Sequence, residues 1–414
     1  MVKLLRVGNN RKAHDNVKDR MFATKVQLSI EANIAGMKPQ ERLSPRARNL
    51  GLIYAFCLTQ HLPATQSIPY ISADNRIPFD IEGCDETLFK DMFKFDKKEF
   101  ARLMNAGLRR QVSERDDQGE VVRHGVDNND RGIVATRQRV TVTAQEAFLI
   151  MLYRSTSGSD LKKIGQIFHI HPPVLTDICL ACYERVLPVA ERLFGSFDSL
   201  AQDPVRMQRY KDAITAKCGY GELGMFMFID GTFDEIFRPT RGQQACYSKH
   251  KKSHGLTYMG CRAPDGLCVN FFGPIEGRHH DAFVTQTMNM VQQLQRLSRI
   301  LQILCAGFGN SAFYGFLPEL QHSYKDVPAT TPAQTVFTEE MKKGRIVIEW
   351  LYGERDCWWK VLKNKHAMKV YLSPVRAITF TCVLLTNCLT CLRGSNATSH
   401  FNCLAPLLED YLQL

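Results

Sequence analysis

Long, purely apolar runs are missing from this sequence. Its amino terminus opens MVKLLRVGNNRKAHD, where charges return before a segment of signal-peptide length can build up, so secretion is not expected. An uncharged stretch from Ala377 to Leu392 lies between Arg376 and Arg393, but it carries Thr379, Thr381, Thr386, Asn387 and Thr390. It is shorter than the ~20 residues of a spanning helix and too polar, so a buried helix and no membrane partner are expected. Cysteine is sparse as well. Fourteen among 414 residues fall far below a disulfide scaffold, and reduced thiols are expected. Cys179/Cys182 and Cys388/Cys391 have Cys-x-x-Cys spacing, yet each pair sits in a helical pattern and the pairs are too far apart for a compact zinc module. Core cysteines are the better reading. Cys246, His250 and His254 recur at four-residue spacing without a fourth ligand nearby.

What is present is an ordinary globular composition. A hydrophobic share of 44% with 23% charged residues excludes wholesale disorder, and the length suits two or three domains. The net charge of +11 favours a polyanionic partner such as nucleic acid or an acidic membrane surface.

Residues 1–75 read as a basic arm and linker, since Lys and Arg outnumber Asp and Glu without sustained periodicity. Residues 76–222 read as a helical region. Phe89, Met92, Phe93 and Phe100 mark one apolar face, whereas 112–133 is polar and charged and reads as a loop. Thr143 and Glu146 have capping-box spacing, and Ala144, Ala147, Phe148 and Met151 then follow helical spacing. Leu161, Ile164, Gly165 and Phe168 repeat it, as do Leu175, Ile178, Cys179 and Cys182 after Pro172-Pro173. Three helices joined by tight turns match a helix-turn-helix plan. The third offers DNA only Arg185, against Asp177 and Glu184.

Residues 223–414 change character. GMFMFID (224–230) predicts a buried strand ending at Asp230. Strands are predicted at 255–262 and 267–273 around an Asp265-Gly266 turn, and another from Ile300 to Ala306. A helix is predicted after His280, with Val284, Met288, Val291 and Leu294 on one face, and another over about 339–363. Strands followed by helices define an α/β domain.

Three acidic residues stand out. Asp230 follows five apolar residues and reads as a metal ligand, a cap or a turn former. Asp281, in GRHHDAF before a helix, reads as an N-cap or a ligand. Glu349 sits among Ile346, Val347, Ile348 and Trp350, which predicts partial burial and pairing with a metal or with Arg345, one turn earlier. Carboxylates without thiol or imidazole partners favour hard cations such as Mg²⁺ or Mn²⁺. Between 238 and 262 the chain holds Arg238, Arg241, Lys249, Lys251, Lys252 and Arg262 with no Asp or Glu, a run suited to phosphates or to a solvated face.

FIDGT (228–232), GRHHD (277–281), GNSAFYG (309–315) and RIVIEWLYG (345–353) fall in an order that resembles the DDE-type endonucleases of the PIF/Harbinger transposase superfamily. The resemblance spans roughly residues 86–405. It implies a ribonuclease H-like nuclease domain, a mixed sheet flanked by helices, preceded by the all-α helix-turn-helix-like region. It implies cleavage or transfer of DNA phosphodiesters with Mg²⁺ or Mn²⁺. Asp230 matches the first catalytic Asp, Glu349 the final Glu, and Asp281 the acidic residue of a His-Asp motif and a further metal ligand. The second catalytic Asp of that pattern is replaced here by Asn310, which keeps a carbonyl ligand but loses a charge. Impaired catalysis is therefore expected, the alternative being a non-catalytic DNA-binding or complex-forming scaffold on the same fold. RNA in place of DNA stays open. So do self-association and a separate DNA-binding partner protein, and a nuclear or cytoplasmic location is expected.

Overall fold

A computed structural model describes residues 79–112, 133–135, 141–158, 161–220, 223–313, 315–324 and 330–413, all within the compact unit Ser67–Leu414. The expected arm of 1–75 and nearly all of the expected loop of 112–133 lie outside the described residues.

The first helices form where side chains satisfy their free N–H groups. Asp85 accepts from the Leu88 N–H at the start of α1 (Glu86–Phe93), and Asp96 with Glu99 forms a capping box on α2 (Lys97–Leu103). Phe89, Phe93 and Phe100 are buried, as their spacing predicts. Thr143 caps α3 (Ala144–Ser157) by accepting from the Glu146 N–H, while the Glu146 carboxylate accepts from the Phe79 N–H 3.2 Å away. After α4 (Leu161–Phe168), α5 (Pro172–Phe194) starts at Pro172 and continues well beyond the predicted segment. Cys179 and Cys182 are buried on α5, and Arg185 donates to the Val112 carbonyl at 2.6 Å. α6 (Pro204–Cys218) leads into the sheet.

The central strand β1 (Met225–Glu235) begins with five fully buried residues, Met225 to Ile229. On one side it pairs antiparallel with β2 (Ser253–Arg262), which in turn pairs antiparallel with β3 (Cys268–Glu276). On the other it pairs parallel with β4 (Ala306–Gly309), and β4 pairs parallel with β5 (Leu320–His322). The strands therefore lie in the order β3, β2, β1, β4, β5, with the two-residue strand Tyr247–Ser248 also paired to β2. The β1–β4 ladder ends at Phe228–Phe308, whereas β1 remains paired with β2 as far as Glu235. The strand was predicted to end at Asp230, but it continues five residues further, to Glu235. Asp230 lies two residues past the point where β4 stops, on an edge that β4 no longer covers.

The segment after His280 forms two helices, α7 (Asp281–Thr287) and α8 (Met290–Leu301), because Asn289 adopts a left-handed conformation between them. The predicted strand at 300–306 is shifted. Helical spacing carries α8 through buried Leu294 and Leu297 to Leu301, and the strand starts only at Ala306. α9 (Pro332–Trp358) starts earlier than predicted, where Thr331 and Gln334 form a capping box and Pro332 takes the first turn. Gly344 lets α9 approach β1 closely, since a Cβ there would collide with the Phe228 ring.

α10 (Val375–Arg393) is the one described helix long and apolar enough to cross a membrane, and it is buried inside the protein. Among the described residues, the hydroxyls of Thr379 and Thr381 are buried without a hydrogen-bond partner, but the helix's other polar residues are paired. Asn387 accepts from the Cys268 N–H and donates to the Cys268 carbonyl, each at 2.9 Å, and Thr386 accepts from the Trp359 indole N–H at 2.9 Å. The expectation of a buried helix is met.

Candidate functional site

Side chains alternate along β1, so Asp230 shares the face of Phe228, which is the face that α9 covers. This brings Asp230 beside Arg345 and Tyr352 on α9. Arg345 Nη1 lies 3.1 Å from Asp230 Oδ2, and Arg345 Nη2 lies 2.8 Å from Glu349 Oε1. The Tyr352 hydroxyl donates to the Asp230 carbonyl at 2.6 Å. Gly260, opposite Asp230 on β2, leaves room for that hydroxyl, because a Cβ there would come within 2.7 Å of it.

β4 delivers Asn310 immediately after its last residue, next to the uncovered edge of β1. Asn310 Nδ2 lies 3.3 Å from Asp230 Oδ1, and the same amide favours the charged form of nearby Asp281. Its Oδ1 accepts from the Ala312 N–H at 2.8 Å. That pair of contacts fixes the amide orientation. A flipped amide would set oxygen against carboxylate and NH₂ against N–H. Asp281 opens α7 after the N-cap His280, so it is not itself the cap. Its carboxylate packs over Gly231, where any Cβ would collide with it.

Burial sets the electrostatics. It pushes Asp230 up to about 6, opposed by Arg345 and reinforced by the negative charges of Asp281 and Glu349. Burial also raises Asp281, against the Asn310 amide and the positive charges of His280 and Lys251. Glu349 differs from expectation, with a side chain 54% exposed. Val347, Ile348 and Leu351 take the buried face of α9, and the helical period turns Glu349 to the opposite one.

The four positions singled out in the sequence, Asp230, Asp281, Asn310 and Glu349, therefore gather at one edge, joined through Asn310 and Arg345. Residues 229–387 match the family model of a DDE superfamily endonuclease. No curated protein and no solved structure matches the chain. The matched segment supports the DDE superfamily, and its curled mixed sheet flanked by helices fits a nuclease-like domain.

The resemblance to DDE enzymes implies a divalent metal, and the arrangement of donors does not fit one. Both oxygens of Asp230 already receive hydrogen bonds, from Arg345 and from Asn310. The Asn310 carbonyl, the ligand an amide could lend, is turned to Ala312. Among the described residues no group of three or more His, Cys, Asp or Glu side chains is disposed to hold a metal ion.

Beside Asp281 a cleft of about 830 Å³ opens, lined in part by Lys249, His250, Lys251, His254, Arg278 and His280. Lys249, Lys251 and neighbouring Lys252 are exposed, as are Arg238, held by Gln243 at 2.7 Å, and Arg241. Arg262 is not part of this surface. It is fully buried and pinned by Glu354 at 2.7 Å and the Val347 carbonyl at 2.8 Å. Lys251 and His280 are placed on the Asp281 side of the cleft by both lining and charge.

From the sequence, Arg345 reads only as a partner of Glu349, and neither Tyr352 nor Arg278 stands out. Arg345 and Tyr352 flank Glu349 at helical spacing, a signal that was present. The reach of both to β1 was not legible in one helix alone.

Proposed function

We propose that this chain is a transposase-derived protein of the PIF/Harbinger type, with a ribonuclease H-like domain that binds DNA and whose phosphodiester chemistry is impaired by Asn310. The observation that carries the reading is the meeting of Asp230, Asp281 and Asn310 where the β1–β4 ladder ends. The sheet order supports it, because the parallel β1–β4 pair sets Asp230 and Asn310 side by side although 80 residues separate them. The basic cleft next to Asp281 supports a polyanionic substrate, since exposed lysines near a carboxylate cluster hold phosphates without reading sequence. In this site Asp230 and Glu349 are the acidic groups, Asp281 is the third, and Asn310 contributes donors where the family pattern has charge. A DNA partner, a further DNA-binding protein and a nuclear location belong to the same proposal.

The scaffold reading draws on a separate observation, the Arg345 bridge that already satisfies Asp230 and Glu349. Duplex DNA cleavage in Mg²⁺ or Mn²⁺ separates the two. Slow or absent nicking by the natural chain, gained in Asn310→Asp and lost again on adding Glu349→Gln, supports an impaired nuclease. Equal cleavage by the natural chain and Asn310→Asp overturns the impairment. Binding without cleavage by either leaves the scaffold.

A further inference from the structure

We infer that Arg345 is the resident counter-cation of this site and competes with a divalent metal for Asp230 and Glu349. One guanidinium reaches Asp230 at 3.1 Å through Nη1 and Glu349 at 2.8 Å through Nη2. Among the described residues no other Lys or Arg pairs with either carboxylate. The planar fork of arginine can face two carboxylates at once and cannot lose its charge near neutral pH. Its side chain is 22% exposed and that of Asp230 is 19% exposed, so water screens the contact only in part. The Asn310 amide completes the arrangement by donating to the Asp230 oxygen that Arg345 leaves.

The consequence is a site that is neutralised before any metal arrives. A divalent cation approaching Asp230 must displace the Arg345 and Asn310 donors, and approaching Glu349 it must displace the same guanidinium. The geometry therefore makes Arg345 a positioning residue whose removal frees the carboxylates. An opposite charge within ~4–6 Å changes a carboxylate's affinity for a proton by about 10–1000-fold, and a competing dication should feel at least the lower figure. This inference rests on the DDE reading only for the choice of a divalent metal as the competitor.

The test is Mn²⁺ binding to the full chain by calorimetry, without DNA, for the natural protein, Arg345→Met and Arg345→Lys. Arg345→Met should bind Mn²⁺ at least about tenfold tighter, equivalent to about 1.4 kcal/mol. Its melting temperature should fall in chelator and rise more steeply with Mn²⁺ than that of the natural chain. Arg345→Lys, a single point charge that cannot span both carboxylates, should fall between the two and carries the test if the Met variant does not fold. Mn²⁺ affinity no tighter in the folded variants than in the natural chain overturns the inference. Because DNA is absent, failure of cleavage in Asn310→Asp would remove the nuclease reading and leave this result standing.

Discussion

Asn310 turns its amide nitrogen, not its oxygen, toward Asp230, at 3.3 Å. Its oxygen serves the Ala312 N–H instead. The residue thus acts as a donor beside two half-buried carboxylates, Asp230 and Asp281, and it adds no negative charge to them.

Replacing that donor has a cost that needs no substrate to observe. Asn310→Asp keeps the cap on Ala312 but sets a third carboxylate against Asp230 and Asp281. In chelator at pH 7, denaturant unfolding should show a loss of about 1–3 kcal/mol. Millimolar Mn²⁺ should recover much of it, since the added charge is what a dication requires. An unchanged unfolding midpoint in chelator would mean that the amide is not holding the carboxylates together.

The raised Asp230 carboxyl gives a pH dependence of known sign. Its folded value is lifted from an ordinary 3.8 to about 6, so the folded state binds the proton more tightly than the unfolded chain. The associated stability is fully present below about 4 and is lost as pH rises through about 6. Other carboxylates titrate in the same range, so the informative quantity is the difference between the natural chain and Asp230→Asn. Stability curves from pH 4 to pH 7 should show the variant gaining on the natural chain by about 1–3 kcal/mol as pH rises. Parallel curves would place the Asp230 shift elsewhere.

Exposed and buried cations of the 238–262 segment should separate cleanly. Charge reversal at Lys249, Lys251 and Lys252 should reduce the slope of log K against log[salt] for duplex DNA by about 2–3 while leaving folding intact. Arg262→Ala should do the opposite. It strands Glu354 and the Val347 carbonyl in the interior, costs about 3–5 kcal/mol of stability, and leaves the slope of the folded fraction unchanged. Salt titrations of DNA binding, paired with thermal melts, check both.

Local patterns in the sequence determined what depends on near neighbours. The apolar run before Asp230 forms the buried start of β1, the Asp265-Gly266 turn joins β2 to β3, and Ala377–Leu392 lies in a buried helix. The Arg345–Glu349 pair was legible too, because four residues make one helical turn. Tertiary structure alone decided the rest. Arg345 meets Asp230 across 115 positions, Asn310 meets it across 80, and Arg262 turns inward to Glu354 across 92. Periodicity says which face of an element is apolar. It does not say which strand lies beside which, and here β4 joins β1 only after three intervening strands and three helices. That crossing stops short of Asp230, and the uncovered edge it leaves is what brings three distant polar side chains together.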